Sequence, residues 1–146
     1  MIFGSGIDLV KCERLLKWLK APKMLERFFN AKELIALSEN SSSAQKSAAL
    51  QHYAARFAAK EAFSKALGTG LAFDLRDAFI QNNENGRPSL TLENSALNLL
   101  KKQCPNWQDA AIFVSLSHEK EYAMAQVIIE IQEANPIHNS NPKILR

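Results

Sequence analysis

A long alanine-rich stretch sets the first limit on the fold. Alanine has the highest intrinsic helix propensity, and it is the commonest residue between Ala48 and Leu67. The stretch ends at Gly68-Thr69-Gly70, and glycine often follows a helix because it adopts a left-handed backbone without strain. We therefore predict a long helix over 48–67. Because the glycine pair follows this helix instead of preceding one, we interpret it as a cap and not as a phosphate-binding loop.

The residues before this helix predict one strand and two further helices. Residues 2–10 are apolar and interrupted by glycine, which predicts a strand that another backbone can approach closely near Gly4 and Gly6. In residues 11–20, leucines recur at helical spacing among basic residues, and this predicts an amphipathic helix. Asn30 lies three residues before a glutamate, in the pattern of an N-cap, so we predict that a second helix begins there.

The remaining segments predict a loop, two hairpins and one more helix. Residues 38–47 are rich in serine and indicate a loop or a frayed helix end. The pair Asn85-Gly86 favours a hairpin turn, and β-rich runs flank it on both sides. The other predicted elements are strands over 77–81 and 89–92, a helix over 93–103, and a second hairpin built from 110–117 and 122–131.

The predicted order, β-α-α-α-β-β-α-β-β, indicates an α+β domain in which helices pack on one side of a mainly antiparallel sheet. The chain has 146 residues, of which 47% are hydrophobic. That length suits one domain with a real core and is too short for two. We assign the domain to residues 1–132. Residues 133–146 are rich in Asn and Pro, and we predict a mobile tail there.

Cysteine spacing and apolar runs argue against several classes of protein. Cys12 and Cys104 lie far apart without metal-ligand spacing around them, so we predict two reduced thiols and neither a zinc site nor a disulfide. No segment approaches the roughly 20 apolar residues that a membrane span needs. The N-terminus lacks the basic and apolar regions of a secretory signal. We therefore expect a soluble, cytoplasmic protein that does not bind membranes.

The charge is modest in total but uneven along the chain. The net charge is +3, and residues 1–70 carry eleven Lys/Arg against six Asp/Glu, whereas residues 71–146 carry seven against nine. An anionic partner is therefore expected to approach the first half of the chain.

Three residues form a candidate site for phosphoryl transfer. Glu61 and Lys65 are four residues apart on the predicted long helix and share one of its faces. Asp8 lies near the end of an apolar strand, where an acid is unfavourable unless it is paired or binds a cation. Two carboxylates from a strand and a helix suit Mg²⁺ and leave positions for water and phosphate, and the lysine would neutralise phosphate charge.

Each of these residues also has an ordinary structural interpretation. Glu61 and Lys65 alone fit a solvated ion pair on a helix surface, which is common and weak. Asp8 alone fits a cap of the helix that follows it. Spacing in the sequence does not decide between these interpretations and a shared site.

The chain resembles the holo-acyl-carrier-protein synthases in three separated motifs. The resemblance weakens over 38–47, stops at the tail, and otherwise covers residues 1–131. The longest and most specific match is the central one. The motifs are Gly6-Ile7-Asp8 followed by Arg14, then Arg56-Phe57-Ala58-Ala59-Lys60-Glu61-Ala62-Phe63-Ser64-Lys65-Ala66, and finally Ser115-Leu116-Ser117-His118.

The resemblance implies a magnesium-dependent 4′-phosphopantetheinyl transferase acting in fatty acid biosynthesis. Asp8 and Glu61 would bind Mg²⁺ together with the pyrophosphate of coenzyme A, the substrate, and Lys65 would contact those phosphates. Glu61 would also help deprotonate the serine of the carrier protein that attacks the β-phosphate. The products would be holo-carrier protein and adenosine 3′,5′-bisphosphate, and the metal would offset charge on the transferred and leaving groups.

The resemblance also assigns residues to coenzyme A binding. His118 would contact coenzyme A, and Arg56 would be a second phosphate ligand. Gly86, Arg87 and Pro88 would border the adenine. Without the resemblance, the ordinary interpretations are structural. A lone histidine at a hairpin is more often structural, and Asn85-Gly86-Arg87-Pro88 is first of all a turn.

Basic residues in and after the first predicted helix are candidates for docking. The resemblance implies that the partner is an acidic acyl carrier protein, and complementary charge would orient the encounter. A solvated face is the alternative interpretation of such a charge run. The candidates are Arg14, Lys17, Lys20 and Arg27, with Lys23 between them and Arg14 the strongest. The resemblance further implies a homotrimer that binds coenzyme A between neighbouring subunits.

Two other functions remain open from the residues alone. A pI of 8.9 and the basic helix fit a nucleic-acid-binding module. The chain lacks a recognised nucleic-acid motif, and we predict no nucleic-acid partner. A catalytically silent scaffold would bind carrier protein without modifying it, and the intact Asp8, Glu61 and Lys65 argue against it.

Overall fold

The computed structural model describes residues 1–132. Within these residues, five strands and four α-helices form an α+β fold, which confirms the predicted class. The predicted tail, 133–146, lies outside the described residues. The elements are β1 (Ile2–Lys11), α1 (Leu16–Leu19), α2 (Pro22–Phe28), α3 (Ser43–Leu67), β2 (Ala78–Asn82), β3 (Pro88–Leu92), α4 (Asn94–Gln103), β4 (Ala110–His118) and β5 (Tyr122–Ile131).

The strands divide into two antiparallel sheets. The main sheet has the order β1-β5-β4, and β2 and β3 form a separate hairpin. The long helix α3 packs on one face of the main sheet, chiefly against β1 and β5. Buried residues alternate along β5, as a sheet with one covered face requires. The sequence predicts every strand but does not reveal this division.

Two glycines allow β1 to lie unusually close to α3. A Cβ atom added at Gly6 would lie 1.9 Å from the carbonyl oxygen of Ala62, and one at Gly4 would lie 2.0 Å from that of Ala66. Both distances are far inside van der Waals contact, so only glycine fits. The predicted close approach at these glycines is confirmed. Because side chains alternate along a strand, Asp8 extends the glycine-bearing side of β1 that faces the helix.

Helix α3 is longer at its N-terminus than predicted. The predicted loop or frayed end over 38–47 is wrong for Ser43–Ser47, which are helical. Ser42 accepts a hydrogen bond from the backbone N–H of Gln45, whose side chain accepts one from the N–H of Ser42. This reciprocal cap satisfies two amide groups at the helix start. At the other end, Gly68 has a φ of 72°, which confirms the predicted cap.

The region between β1 and α3 differs most from the prediction. The predicted helix over 11–20 is a 3₁₀ turn, Cys12–Leu15, followed by the short α1. The predicted helix after Asn30 is wrong, because only a 3₁₀ turn over Ala31–Glu33 forms before the chain becomes extended at Leu34. Helix α2 was not predicted, although Pro22 at its first turn is a typical start signal.

The hairpin between β2 and β3 agrees with the prediction. The Asn83 side chain accepts hydrogen bonds from the backbone N–H groups of Asn85 and Arg87. Gly86 has a φ of 77°, a left-handed conformation that favours glycine. Among residues 1–132, no helix combines the length and apolar character needed to cross a membrane.

Candidate functional site

Asp8 and Lys65 meet across the β1–α3 contact. The Lys65 ammonium donates to Asp8 Oδ1 at 2.7 Å and to the Ile7 carbonyl oxygen at 3.0 Å. The Asp8 side chain is 16% exposed and that of Lys65 is 52% exposed. Asp8 does not cap the next helix, because Lys11 occupies that position without a side-chain bond. The cap interpretation of Asp8 is therefore wrong, and Asp8 is instead paired with Lys65.

Glu61 belongs to the same cluster. Burial raises the pKa of its carboxyl group, and the negative charge of Asp8 raises it further. The positive charges of Lys65 and Arg14 oppose this rise in the pKa. The three predicted catalytic residues are therefore gathered at one place, together with the strongest docking candidate.

The donor set of this cluster suits a magnesium ion. Asp8 and Glu61 offer carboxylate oxygens, the ligands that Mg²⁺ prefers in proteins. Burial is the larger cause of the raised pKa of Glu61, and the negative charge of Asp8 adds to it; a divalent cation would relieve the repulsion between these two carboxylates. Within the described part of the chain, no group of three or more His, Cys, Asp or Glu side chains could hold a metal. A metal here would therefore take its other ligands from water and substrate.

Apart from this cluster, a cavity of about 420 Å³ brings together four of the predicted coenzyme A residues. Arg56 lines it from α3, and Gly86, Pro88 and His118 line it from the two hairpins. Arg56 donates from Nη1 to the His52 carbonyl oxygen at 3.4 Å. Its Nε atom is buried and has no hydrogen-bond partner within residues 1–132. The Arg56 guanidinium therefore has one donor that the described residues leave unpaired.

His52 also lines this cavity, although no motif or spacing in the sequence pointed to it. Its Nε2 lies 2.6 Å from the Glu33 carbonyl oxygen. A carbonyl oxygen only accepts, so Nε2 carries the proton in this contact. Burial, followed by the charge of Arg56, lowers the pKa of His52 to about 4, and the ring is neutral at physiological pH.

Arg87 does not line the Arg56 cavity, although its neighbours Gly86 and Pro88 do. It lines a smaller neighbouring cavity, of about 200 Å³, together with Pro88 and residues of β4. Its backbone N–H donates to the Asn83 side chain, so its backbone helps to form the turn. Pro88 lines both cavities and connects them.

The two groups of predicted residues lie toward opposite edge strands of the main sheet. Asp8 is on β1 and His118 is on β4, and β5 separates these strands. Along α3, Arg56 and Lys65 are nine residues apart, which corresponds to roughly 13 Å along the axis and half a turn around it. A single chain therefore does not bring the carboxylate cluster and the Arg56 cavity together.

Three of the four docking candidates line a largely apolar cavity of about 440 Å³. Arg14, Lys17 and Lys20 line it, and its apolar lining was not predicted. Arg27 lies on α2, with its guanidinium 5.7 Å from the centre of the Phe28 ring. The spacing of the leucines indicated an amphipathic helix but not an open apolar face. The apolar lining residues are Val10, Leu15, Leu16, Trp18 and Phe57.

This cavity adjoins the carboxylate cluster. Val10 lies two residues after Asp8 on the same side of β1, and Phe57 lies one helical turn before Glu61 on α3. A partner seated on the basic rim would therefore lie next to the candidate catalytic residues.

Comparison with known proteins assigns the chain to a family. Residues 4–127 match the profile of the 4′-phosphopantetheinyl transferase superfamily. The chain belongs to this superfamily. Within it, the chain is 50% identical over 131 residues to the holo-[acyl-carrier-protein] synthase of Treponema denticola, an alignment that covers 89% of this chain and 99% of the relative. The family resemblance inferred from the three motifs is confirmed.

Solved structures agree with this assignment. The holo-(acyl-carrier-protein) synthase of Bacillus anthracis in complex with CoA (3′,5′-ADP) is 31% identical, with a TM-score of 0.67 over 90% of this chain and 99% of that one. The holo-[acyl-carrier-protein] synthase of Neisseria meningitidis is 28% identical, with a TM-score of 0.71 over 89% and 99%.

Proposed function

We propose that this chain transfers the 4′-phosphopantetheine group of coenzyme A to a serine of apo-acyl carrier protein. The observation that carries the proposal is the cluster of Asp8, Glu61 and Lys65 beside a basic, apolar-lined cavity. The products are holo-carrier protein and adenosine 3′,5′-bisphosphate. We place the reaction in fatty acid biosynthesis in the cytoplasm, as the resemblance implies.

Asp8 and Glu61 are the residues that would hold Mg²⁺. When bound, the metal offsets negative charge on the pyrophosphate during transfer. Lys65 supports the same phosphates with a positive charge that is already fixed against β1 by two hydrogen bonds. Its position costs no reorganisation when negative charge develops.

Glu61 is the proposed proton acceptor for the carrier serine. A general base works best when its pKa lies near the working pH, and burial together with Asp8 raises the pKa of Glu61 in that direction. Arg14 and Lys65 keep the carboxyl group from becoming too basic.

Arg56 and His118 are the proposed contacts to the rest of coenzyme A. The Arg56 side chain lines the same cavity as Gly86, Pro88 and His118, and a guanidinium suits phosphate oxygens. These residues lie at the edge of the protomer opposite Asp8. We therefore propose that coenzyme A binds between the Asp8 edge of one subunit and the His118 edge of a neighbour.

The outer face of the main sheet supports self-association. Ile7 and Leu9 of β1 are 54% and 61% exposed, and Phe113 of β4 and Met124 of β5 are also exposed. Exposed apolar groups in one contiguous sheet face are typical of protein interfaces. The resemblance implies a homotrimer, and we propose this oligomeric state.

An acidic carrier protein is the proposed partner of the docking surface. Arg14, Lys17 and Lys20 supply positive charge around an apolar floor, and Arg27 extends this charge on α2. Charge complementarity would guide the encounter, and the apolar floor would favour close packing.

The test measures release of the second product, adenosine 3′,5′-bisphosphate. Incubation with coenzyme A, Mg²⁺ and apo-carrier should release adenosine 3′,5′-bisphosphate in step with the loss of apo-carrier. Asp8→Ala and Glu61→Ala should abolish release while circular dichroism remains native. Carrier binding without release would support a scaffold, and salt-sensitive binding of RNA without any need for coenzyme A would support the nucleic-acid alternative.

A further inference from the structure

We infer that the buried ion pair between Glu33 and Lys60 is a positioning device that fixes the width of the Arg56 cavity. This inference rests on the proposed function, because it assigns the cavity to coenzyme A. Neither residue touches the cavity, and neither belongs to the carboxylate cluster. The pair acts through the elements that it joins.

The pair is fully buried and richly hydrogen-bonded. Lys60 Nζ lies 2.7 Å from Glu33 Oε2 and 2.5 Å from the Ala78 carbonyl oxygen. Glu33 Oε1 accepts from the backbone N–H of Ile80 at 3.0 Å, and Oε2 accepts from that of Asn30 at 3.0 Å. Both side chains are 0% exposed. The two charged groups thus tie α3, β2 and the turn after α2 into one unit.

Fold stability alone is a poor reason to keep such a pair. Taking two charges out of water costs several kcal/mol per ion, and well-packed apolar residues often serve stability equally well. Burial lowers the pKa of Lys60, against the opposing effect of Glu33, which reflects that cost. Unlike an apolar contact, the pair is directional, because its hydrogen bonds fix the alignment of β2 along α3.

That alignment determines the distance between the two walls of the cavity. Ala78 and Ile80 begin β2, which ends at Asn82, and Asn82 lines the cavity together with Gly86 of the following turn. Lys60 lies one helical turn after Arg56 on α3. The pair therefore holds the hairpin wall at a fixed offset from the helix wall.

A second connection reaches the cavity through the backbone of Glu33. Its carbonyl oxygen accepts a hydrogen bond from His52 Nε2 at 2.6 Å, and the His52 carbonyl oxygen accepts one from Arg56 Nη1. A shift of Glu33 would move His52, which lines the cavity, and would disturb the guanidinium. Both connections predict the same result, a looser fit for coenzyme A.

The experiment compares Glu33→Leu/Lys60→Met with the wild-type protein and with Arg76→Gln. The double variant removes both buried charges together, so no charge is left unpaired. The control removes an exposed ion pair of 2.6 Å, Asp74–Arg76, away from the cavity. The readouts are thermal unfolding, the Kd of coenzyme A by calorimetry, and kcat and KM for transfer.

The double variant should unfold cooperatively yet bind coenzyme A about tenfold more weakly, because misplacement of a binding group weakens an interaction steeply. Its KM for coenzyme A should rise in parallel, while kcat at saturating coenzyme A stays close to that of the wild type. Arg76→Gln should match the wild-type Kd. A purely structural role would instead reduce kcat through loss of active protein and leave Kd and KM unchanged, which would overturn the inference.

The variant Glu33→Gln/Lys60→Met, which also leaves no buried charge unpaired, is scored in the same way if the first double variant does not fold. It keeps an oxygen acceptor for Ile80 but loses the charge. A wild-type Kd in a folded variant would overturn the positioning role alone. Failure of the wild-type protein to bind coenzyme A would overturn the proposed function together with this inference.

Discussion

The Lys65 ammonium lies 2.7 Å from Asp8 Oδ1 and joins the C-terminal part of α3 to the middle of β1. This contact depends on the glycines that let the strand approach the helix. The ion pair is half exposed on the lysine side, so it contributes at most about 1 kcal/mol to stability. Its main role in our account is to hold a positive charge beside the two carboxylates.

Replacement of Lys65 by methionine should therefore separate activity from stability. We expect kcat/KM to fall about 100-fold, because one preorganised charge is lost at the site of phosphoryl transfer. The melting temperature should change little. Steady-state kinetics and calorimetry measure the two effects, and near wild-type kinetics in Lys65→Met would remove the lysine from the mechanism.

The pKa of Glu61 should respond to the charge of Asp8. Burial is the larger cause of the raised pKa, and the Asp8 carboxylate is the second. In Asp8→Asn the negative charge is gone, so the pKa of Glu61 should move down while staying above its ordinary value. Carbon-13 NMR titration of labelled glutamate carboxyl groups measures it. An unchanged pKa would show that the two groups do not interact.

Gly6→Ala should damage both the fold and the site. The new methyl group would lie 1.9 Å from the Ala62 carbonyl oxygen, so β1 must move away from α3 and take Asp8 with it. We expect a loss of about 2 kcal/mol or more in the free energy of unfolding, with a large loss of activity. Ser5→Ala, on the exposed side of the same strand, is the matched control. Equal denaturation curves for the two variants would contradict the close packing.

Reversal of charge at Lys17 should weaken carrier recognition specifically. In Lys17→Glu, we expect the KM for carrier protein to rise about tenfold while the Kd of coenzyme A stays constant, because complementary charge mainly affects the encounter. Lys102→Glu on α4 is the control, since this exposed lysine lies outside the docking cavity. Equal effects of the two reversals would argue for a general charge effect and against a docking site.

The neutral state of His52 should make stability depend on pH. Its pKa is lowered from 6.5 to about 4 in the folded protein, so the unfolded chain binds more protons between these values. The free energy of unfolding should therefore fall as the pH drops from 6.5 to 4. We expect about 2 kcal/mol from this residue, since partial exposure screens the effect. His52→Gln should lack this component in urea denaturation across the range, and identical pH profiles would contradict it.

Local signals in the sequence were sufficient for much of this structure. Gly4 and Gly6 predicted close backbone approach, and Gly68 predicted the end of α3, because each glycine acts through its own backbone. The pair Asn85-Gly86 marked the turn for the same reason. The candidate catalytic residues could be proposed because an acid in an apolar strand needs a partner.

Tertiary contacts explain where the prediction failed. Asn30 and Glu33 do form the predicted capping arrangement, but the Glu33 carboxylate is also bound by Lys60, and the chain leaves the helical path at Leu34. The partner of Lys65 could not be read from spacing, because Asp8 is 57 residues away. The offset between the Asp8 and His118 edges likewise depends on strand order, which the sequence does not specify.

The mass of the carrier protein tests the central claim most directly. Apo-acyl carrier protein is incubated with coenzyme A, Mg²⁺ and this chain, beside a known transferase and beside the Asp8→Ala variant, and is then weighed by mass spectrometry. We predict that the wild-type chain adds one phosphopantetheine group per carrier and that Asp8→Ala adds none. An unmodified carrier after incubation with the wild-type chain, while the known transferase modifies its own sample, would contradict it.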